Sequence, residues 1–296
     1  MLRSPLNVAL DSLSSVLFPA DCRVCGAPLS GFTRLPVCSS CWNDLPAQSN
    51  ALCARCGEAL ASDPELTGET LCRPCRVQPP DFARAIAHGA YRGTLRTLLH
   101  LLKYDGMEPM AARLGALLAH QLLAVPDLPP DLLVVPVPLF RKKQRQRGFN
   151  QAGLLARGAI ASLRRRRPDM AVRPAPELLE RRRATESQAG LTPHQRRVNL
   201  RGAFFVPRPA AVEGKNILLI DDIYTTGATA RACSAALRRA GAGSVWVATV
   251  ARAQKEFAMQ PAISRSAESA TAEIPMEEDF VYWEDSRTAP AGGAAR

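Results

Sequence analysis

Aromatic residues are scarce in this chain, at 5% of 296 positions. Nowhere along the sequence do they alternate with basic residues, which argues against a platform on which nucleobases stack. Histidine is scarcer still: His88, His100, His120 and His194 are the only four, and none has metal-ligand spacing. No apolar run reaches the roughly 18 residues that a membrane-crossing helix needs. The first 20 residues carry Asp11 inside their apolar stretch and no small-x-small cleavage site before Asp21, so they do not read as an export signal. A chain retained in the cytoplasm keeps its thiols reduced, which excludes a disulfide framework.

What remains is an ordinary globular composition, 47% hydrophobic and 22% charged. Its net charge of +11 is unevenly spread. From Leu132 to Ala240 there are 22 Lys+Arg against 7 Asp+Glu, and from Ala253 onward 4 against 8. A basic body with an acidic tail predicts anionic partners, either phosphorylated metabolites or nucleic acid.

Eight of the nine cysteines fall in one short segment as four C-x-x-C pairs: Cys22/Cys25, Cys38/Cys41, Cys53/Cys56 and Cys72/Cys75. One such turn aims two sulfurs at a point, and two turns complete a tetrahedral four-cysteine site. Eight thiolates therefore predict two structural zinc ions. The thioredoxin-like βαβ context that a redox C-x-x-C requires is missing. Spacing admits sequential or crossed pairing of the turns; sequential pairing is the expectation. A segment this poor in large apolar residues needs the metal to fold. The ninth, Cys233, is expected to be a buried, inert thiol.

Leu6, Leu10, Leu13 and Leu17 predict a short amphipathic helix over 1–20, docked on the protein's own body. The zinc module is expected over 21–78 and an α/β domain over 81–252. Within that domain the pattern predicts a strand at FARAIAHGAY, a helix capped by Thr94 and a helix over Met110–Leu123. A buried strand at Leu132–Val137 leads to a basic loop, PLFRKKQRQRGFNQ, and then a helix to about Leu163. A strand near Met170–Arg173 or Glu177–Leu179 follows, then a mobile basic stretch over Arg181–Arg201. A strand at Asn216–Ile220, a helix over Thr226–Ala240 and a strand at Ser244–Val250 complete a parallel, doubly wound sheet. Residues 253–296 read as a disordered acidic tail, broken by the aromatic cluster Phe280-Val281-Tyr282-Trp283.

The most informative stretch is ILLIDDIYTTGATA, residues 217–230. A hydrophobic strand delivers Asp221 and Asp222 to its carboxyl end, the edge at which open α/β sheets bind ligands. Thr225, Thr226, Gly227, Ala228 and Thr229 then turn into a helix, where hydroxyls and free N–H groups suit a phosphate monoester. Gly227 lets the backbone approach closely. Two acids for ribose hydroxyls beside a phosphate cradle describe a ribose 5-phosphate site.

This stretch resembles the loop with which type I phosphoribosyltransferases bind phosphoribosyl pyrophosphate (PRPP). Other motifs extend the likeness. The four C-x-x-C pairs come first, then LLKYDG (Leu101–Gly106), then VPVPLFRKKQRQRGFNQA (Val135–Ala152). R-x-x-x-T-x-x-Q-x-x-L (Arg181–Leu191) and Arg196-Arg197-x-Asn199 precede the acidic loop. This combination and order resemble the ComF family of competence-associated proteins over roughly residues 15–251. The resemblance implies a type I phosphoribosyltransferase-like parallel sheet with flanking helices, preceded by a double zinc ribbon. It implies catalytic roles for Asp221 and Asp222, a 5-phosphate site at Thr225–Thr229, and Mg²⁺ bound with PRPP. Arg141, Lys143, Arg145 and Arg147 would serve pyrophosphate, and Arg183, Thr185 and Gln188 would belong to a closing lid. Lys103 and Tyr104 would face the same cleft.

Two functions follow. One is an enzyme transferring ribose 5-phosphate to an unknown acceptor, linked to DNA uptake at the cytoplasmic side of the uptake machinery. The other is a non-catalytic, PRPP-regulated module that binds single-stranded DNA electrostatically through its basic face. In either, the zinc ribbons would offer docking surfaces to an uptake helicase or competence proteins. A fold of this type does not by itself guarantee turnover.

Overall fold

The computed structural model describes residues 20–29, 35–46, 48, 51–60, 70–183, 195 and 199–254. The helix expected over 1–20 falls outside them except for Ala20, as do the tail beyond 254 and most of the lid, including Thr185 and Gln188.

Five parallel strands form the central sheet: β1 (Arg84–Ala90), β2 (Asp131–Pro136), β3 (Ala171–Pro174), β6 (Asn216–Tyr224) and β7 (Ser244–Arg252), in the order β1-β7-β6-β2-β3. A separate two-strand ribbon pairs β4 (Glu180–Arg181) with β5 (Phe204–Phe205). The helices are α1 (Ser39–Asn43), α2 (Arg73–Val77), α3 (Gly93–Tyr104), α4 (Met110–Leu123), α5 (Arg141–Arg147), α6 (Gln151–Arg166) and α7 (Ala228–Arg239). The α/β sheet with its cysteine-rich module is the fold that the sequence pattern implies. No helix among the described residues is long and apolar enough to cross a membrane.

The chain passes from β2 through α6 to β3 on one side, and from β6 through α7 to β7 on the other. Connections therefore diverge between the neighbours β2 and β6. Their carboxyl ends open the crevice where ligands of doubly wound sheets bind.

Strand residues alternate between two cores, as the pleat requires. Leu218 and Ile220 join the core under α3, α4 and α6, whereas Ile217 and Leu219 join the core under α7. The leucine stripe of α3 behaves as its spacing predicts: Leu95, Leu98, Leu99 and Leu102 are fully buried, each contributing about 1.5–3 kcal/mol relative to exposure. Helices α4 and α6 cross so closely that a β-carbon on Gly115 would lie 2.6 Å from the Leu155 carbonyl oxygen. That crossing fixes the start of α6, which reaches the functional crevice.

Several boundaries differ from the sequence expectation. Helix α3 begins at Gly93 with Arg92 at its cap, so Thr94 lies inside the first turn and caps nothing. The stretch Arg141–Arg147 is a helix rather than a loop. Long unbranched Arg, Lys and Gln side chains favour helix without any apolar stripe, and Gly148, left-handed at φ 85°, ends it. The third strand is Ala171–Pro174, while Pro176–Leu178 forms a 3₁₀ turn.

Candidate functional site

Strand β6 does not stop at Ile220. Its pairing with β7 continues through Asp221↔Thr249 to Tyr224↔Arg252, because β7 itself runs on to Arg252. Both acids therefore lie within the pleat, and consecutive side chains leave a strand on opposite faces. Asp222 is buried on the α3 and α6 side, with Oδ2 2.6 Å from Lys103 Nζ and accepting from Gln151 Nε2 at 3.3 Å. Asp221 is half-buried on the other side and lines a small pocket with Val137, Thr225, Gly227 and Thr229. The Asp222 backbone N–H donates to Asp221 Oδ1 at 2.9 Å.

Electrostatics separate the two acids further. Burial, followed by the charge on Asp222, pushes the Asp221 carboxyl up to about 7, against the Asp222 N–H and the Lys103 cation. Burial works to lower Lys103, but the Asp222 carboxylate and the Asp221 charge outweigh it and hold the ammonium above its ordinary value. Asp222 thus has a cation of its own at 2.6 Å, whereas its neighbour Asp221 is poised to change charge near neutral pH.

The turn after β6 opens α7 as the phosphate-cradle reading requires, although the helix starts at Ala228 rather than Thr226. Gly227 stands in the left-handed region at φ 75°, and Thr226 Oγ1 accepts from the Ala228 N–H at 3.4 Å. A β-carbon on Gly227 would fall on the ring and hydroxyl of Tyr224. Tyr224 is the floor of the turn, held edge-on by Phe82 at 6.3 Å. Gly227→Ala is therefore expected to cost about 1–3 kcal/mol through strain alone and to displace the turn. Thermal unfolding together with anion titration checks both effects.

Of the four cations assigned to pyrophosphate, the fold ties Arg147 to the acids. Its Nη1 donates to Gln151 Oε1 at 2.6 Å, and Gln151 in turn donates to Asp222. Lys143 is exposed, yet desolvation and the charges of Arg147, Arg181 and Lys103 lower its ammonium, which places it in the same basic cluster. Arg141 and Arg145 point to solvent. Arg183 is also exposed and donates to the carbonyls of Asn199 and Arg201 at 2.7 and 3.1 Å. Gln151 is the residue that pattern reading passed over. It ends the GFNQ segment, and its role becomes visible only when α6 meets β6.

Scarce aromatics are not the same as isolated ones. The guanidinium of Arg147 lies 5.6 Å from the Tyr104 ring centroid, and that of Arg182 lies 3.3 Å from the Phe205 centroid. Both rings are exposed, Tyr104 at 69% and Phe205 at 36%. Folding builds the aromatic-basic pairing that the linear sequence does not display.

The eight cysteines gather into two groups of four, Cys22, Cys25, Cys38 and Cys41, and Cys53, Cys56, Cys72 and Cys75. Pairing is sequential, as expected. Sulfurs about 2.3 Å from a tetrahedral zinc stand about 3.8 Å apart. The Sγ separations of Cys22–Cys41, Cys25–Cys38 and Cys56–Cys72 are 3.9, 3.7 and 3.6 Å. Each group repeats one design: a first C-x-x-C turn closed by Gly26 or Gly57, and a second whose leading cysteine occupies the N-cap position of α1 or α2. Both sites fit a structural zinc ion, with four sulfur ligands leaving no position for substrate. Cys233 is fully buried in α7, and desolvation holds its thiol well above the ordinary range.

A double zinc ribbon domain matches residues 13–76. DNA utilization protein YhgH of Salmonella typhi is 32% identical over 232 residues, covering 77% of this chain and 95% of that protein. The chain belongs to the ComF family. Competence protein F of Haemophilus influenzae is 28% identical, covering 73% of this chain and 96% of that protein. Competence protein ComFC of Bacillus subtilis is 28% identical, covering 65% and 74%.

Proposed function

We propose that this ComF-family chain binds Mg²⁺-PRPP across the crevice between β2 and β6 and transfers ribose 5-phosphate to an acceptor, in a role linked to DNA uptake. The observation that carries this reading is the placement of Asp221 in a pocket walled by the Thr225–Thr229 turn at the carboxyl edge of the sheet. The turn's N–H groups and hydroxyls anchor the 5-phosphate and so orient the sugar. Asp221, in the pocket, accepts from a ribose hydroxyl and offsets positive charge on the ring as the C1–O bond breaks, and Asp222, on the opposite face of β6 with Lys103, adds to the charge at that strand end. The bond electrons leave with pyrophosphate, which Arg147 and Lys143 stabilise, while the acceptor bonds to C1 and gives up a proton. Magnesium, bound with PRPP, would neutralise charge on the leaving group.

Calorimetric titration with Mg²⁺-PRPP from pH 6 to pH 8 tests the site, and pyrophosphate release in the presence of candidate bases tests turnover. Affinity is expected to rise with pH through about 7, where Asp221 ionises. Asp221→Asn should flatten that rise. The sign for stability is opposite. The folded chain holds the Asp221 proton more tightly than the unfolded chain, so this group's contribution falls as pH rises from about 4 to about 7. No heat of PRPP binding at any pH would end the assignment.

The arginine–tyrosine and arginine–phenylalanine pairs favour a second reading, binding of single-stranded DNA. The helix Arg141–Arg147, which buries no residue, offers charge to a phosphate backbone. Affinity for an oligonucleotide is expected to fall at least tenfold between about 50 and 200 mM salt. A flat response measured by fluorescence anisotropy argues against it. The names of the relatives, DNA utilization and competence, accord with either reading. The ribbons remain the proposed docking surface for an uptake helicase or competence protein, and the cytoplasm the proposed compartment.

A further inference from the structure

We infer that the second four-cysteine site positions the Thr225–Thr229 turn, through Arg252 and Arg231, so that the two metal sites serve different ends. The inference rests on the metal reading of the cysteines and not on the identity of the ligand.

Arg252 ends β7 and is only 3% exposed. Its Nη2 donates to Cys56 Sγ at 3.6 Å and pairs with the Glu58 carboxylate. Its Nε and Nη1 are buried without a hydrogen-bond partner. The guanidinium carbon lies 4.2 Å from the centroid of the Tyr224 ring, the floor beneath Gly227. A buried cation is tolerable only while paired, and both polar partners of this one belong to the second ribbon. Strand and ribbon are stitched again just beyond, where Gln254 Nε2 donates to the Gly57 carbonyl and Gln254 Oε1 accepts from the Ala59 N–H.

The other flank of the turn is held separately. Arg231 Nη2 approaches Cys75 Sγ at 3.9 Å, and its Nη1 donates to the Gln78 carbonyl at 2.8 Å. The Arg231 backbone N–H closes the first turn of α7 on the Gly227 carbonyl at 2.9 Å. Strand end and helix start are thus fastened to two different sulfurs of one cluster. When zinc holds these sulfurs as thiolates, the cluster is net negative and attracts both guanidinium groups. Without metal the ribbon loses the ion that closes it, and Arg252 is left in the interior with no reliable partner.

The first site has no such position. Cys22, Cys41, Val37 and Trp42 pack with α3 and α4 on the opposite face of the sheet, and Cys25 is exposed. It should lose zinc first and leave the turn undisturbed.

Hydrogen exchange of the ligand-free protein during chelation tests this, with zinc release followed by a chromophoric chelator. The first zinc is expected to leave with amide protection at 225–231 unchanged. Departure of the second should raise exchange there at least tenfold. Arg231→Met should raise it about tenfold with two zinc ions still bound and the melting temperature within a few degrees, and Arg231→Lys, which retains a donor cation, should restore it. Arg252→Met should do the same; should that variant fail to fold, Arg231→Met alone decides. Protection that survives loss of the second zinc, or that is untouched in Arg231→Met, overturns the inference. Failure to bind PRPP would not, because exchange is read without ligand.

Discussion

Converting Asp221 and Asp222 together to asparagine is expected to lower PRPP affinity by at least 100-fold, because hydrogen bonds to a charged acceptor are worth about 1.5–3 kcal/mol each. The single variants should differ in a way that only this geometry predicts. Asp222 shares its carboxylate with the Lys103 ammonium at 2.6 Å, both largely buried. Asp222→Asn strands that cation, and breaking a buried pair from one side costs about 3–5 kcal/mol. On the other face, burial already resists the ionisation of Asp221. Asp221→Asn should therefore raise the melting temperature at pH 8 while Asp222→Asn lowers it. Adding Lys103→Met to Asp222→Asn should recover stability without recovering affinity. Unchanged calorimetric affinity in the double variant would remove the site assignment; equal and opposite-to-expected melting shifts would remove the two-faced placement of the acids.

What the sequence disclosed, it disclosed through local chemistry. Four C-x-x-C turns predict two tetrahedral sites, since each turn is a self-contained pair of ligands, while the choice between sequential and crossed pairing is read only from the folded groups. The helix Met110–Leu123 appears with the bounds its pattern predicts, because its apolar spacing and flanking prolines are local signals. The string from Ile217 to Ala230 marks strand, turn and helix for the same reason, and the left-handed Gly227 follows from it. The basic segment Arg141–Arg147 went unrecognised as a helix because no face of it is buried, so periodicity had nothing to report. The partition of Asp221 and Asp222 depends on how far β6 pairs with β7, a property of two strands together. Lys103, Gln151, Arg252 and Arg231 acquire their partners only by crossovers that bring distant segments to one sheet edge. Such meetings leave no trace in spacing.

Removal of zinc is expected to have the largest effect on stability. The ribbons hold few large apolar side chains; the buried residues of their interiors are mainly the cysteines themselves, with Val37, Trp42 and Ala59. A module of that kind draws its folding free energy from metal binding, on the order of 10–16 kcal/mol per ion in isolated zinc-finger peptides. The purified chain should contain two zinc ions, and strong chelation should unfold both ribbons, seen as loss of protection over residues 20–29, 35–46, 51–60 and 70–78. Cys25→Ser, at an exposed ligand, should remove one ion and unfold the first ribbon, lowering the melting temperature only by the loss of that ribbon's Val37 and Trp42 contacts with α3 and α4. Cys56→Ser should cost much more. All four ligands of its site are buried, and the same substitution withdraws a sulfur partner from Arg252, whose remaining pair with Glu58 depends on the ribbon's fold. The difference in melting temperature between the two variants, at equal loss of one zinc, measures what the second site does for the sheet beyond holding its own ribbon. Identical shifts would mean that the ribbons are interchangeable staples, and that the arginine contacts to sulfur carry no energy.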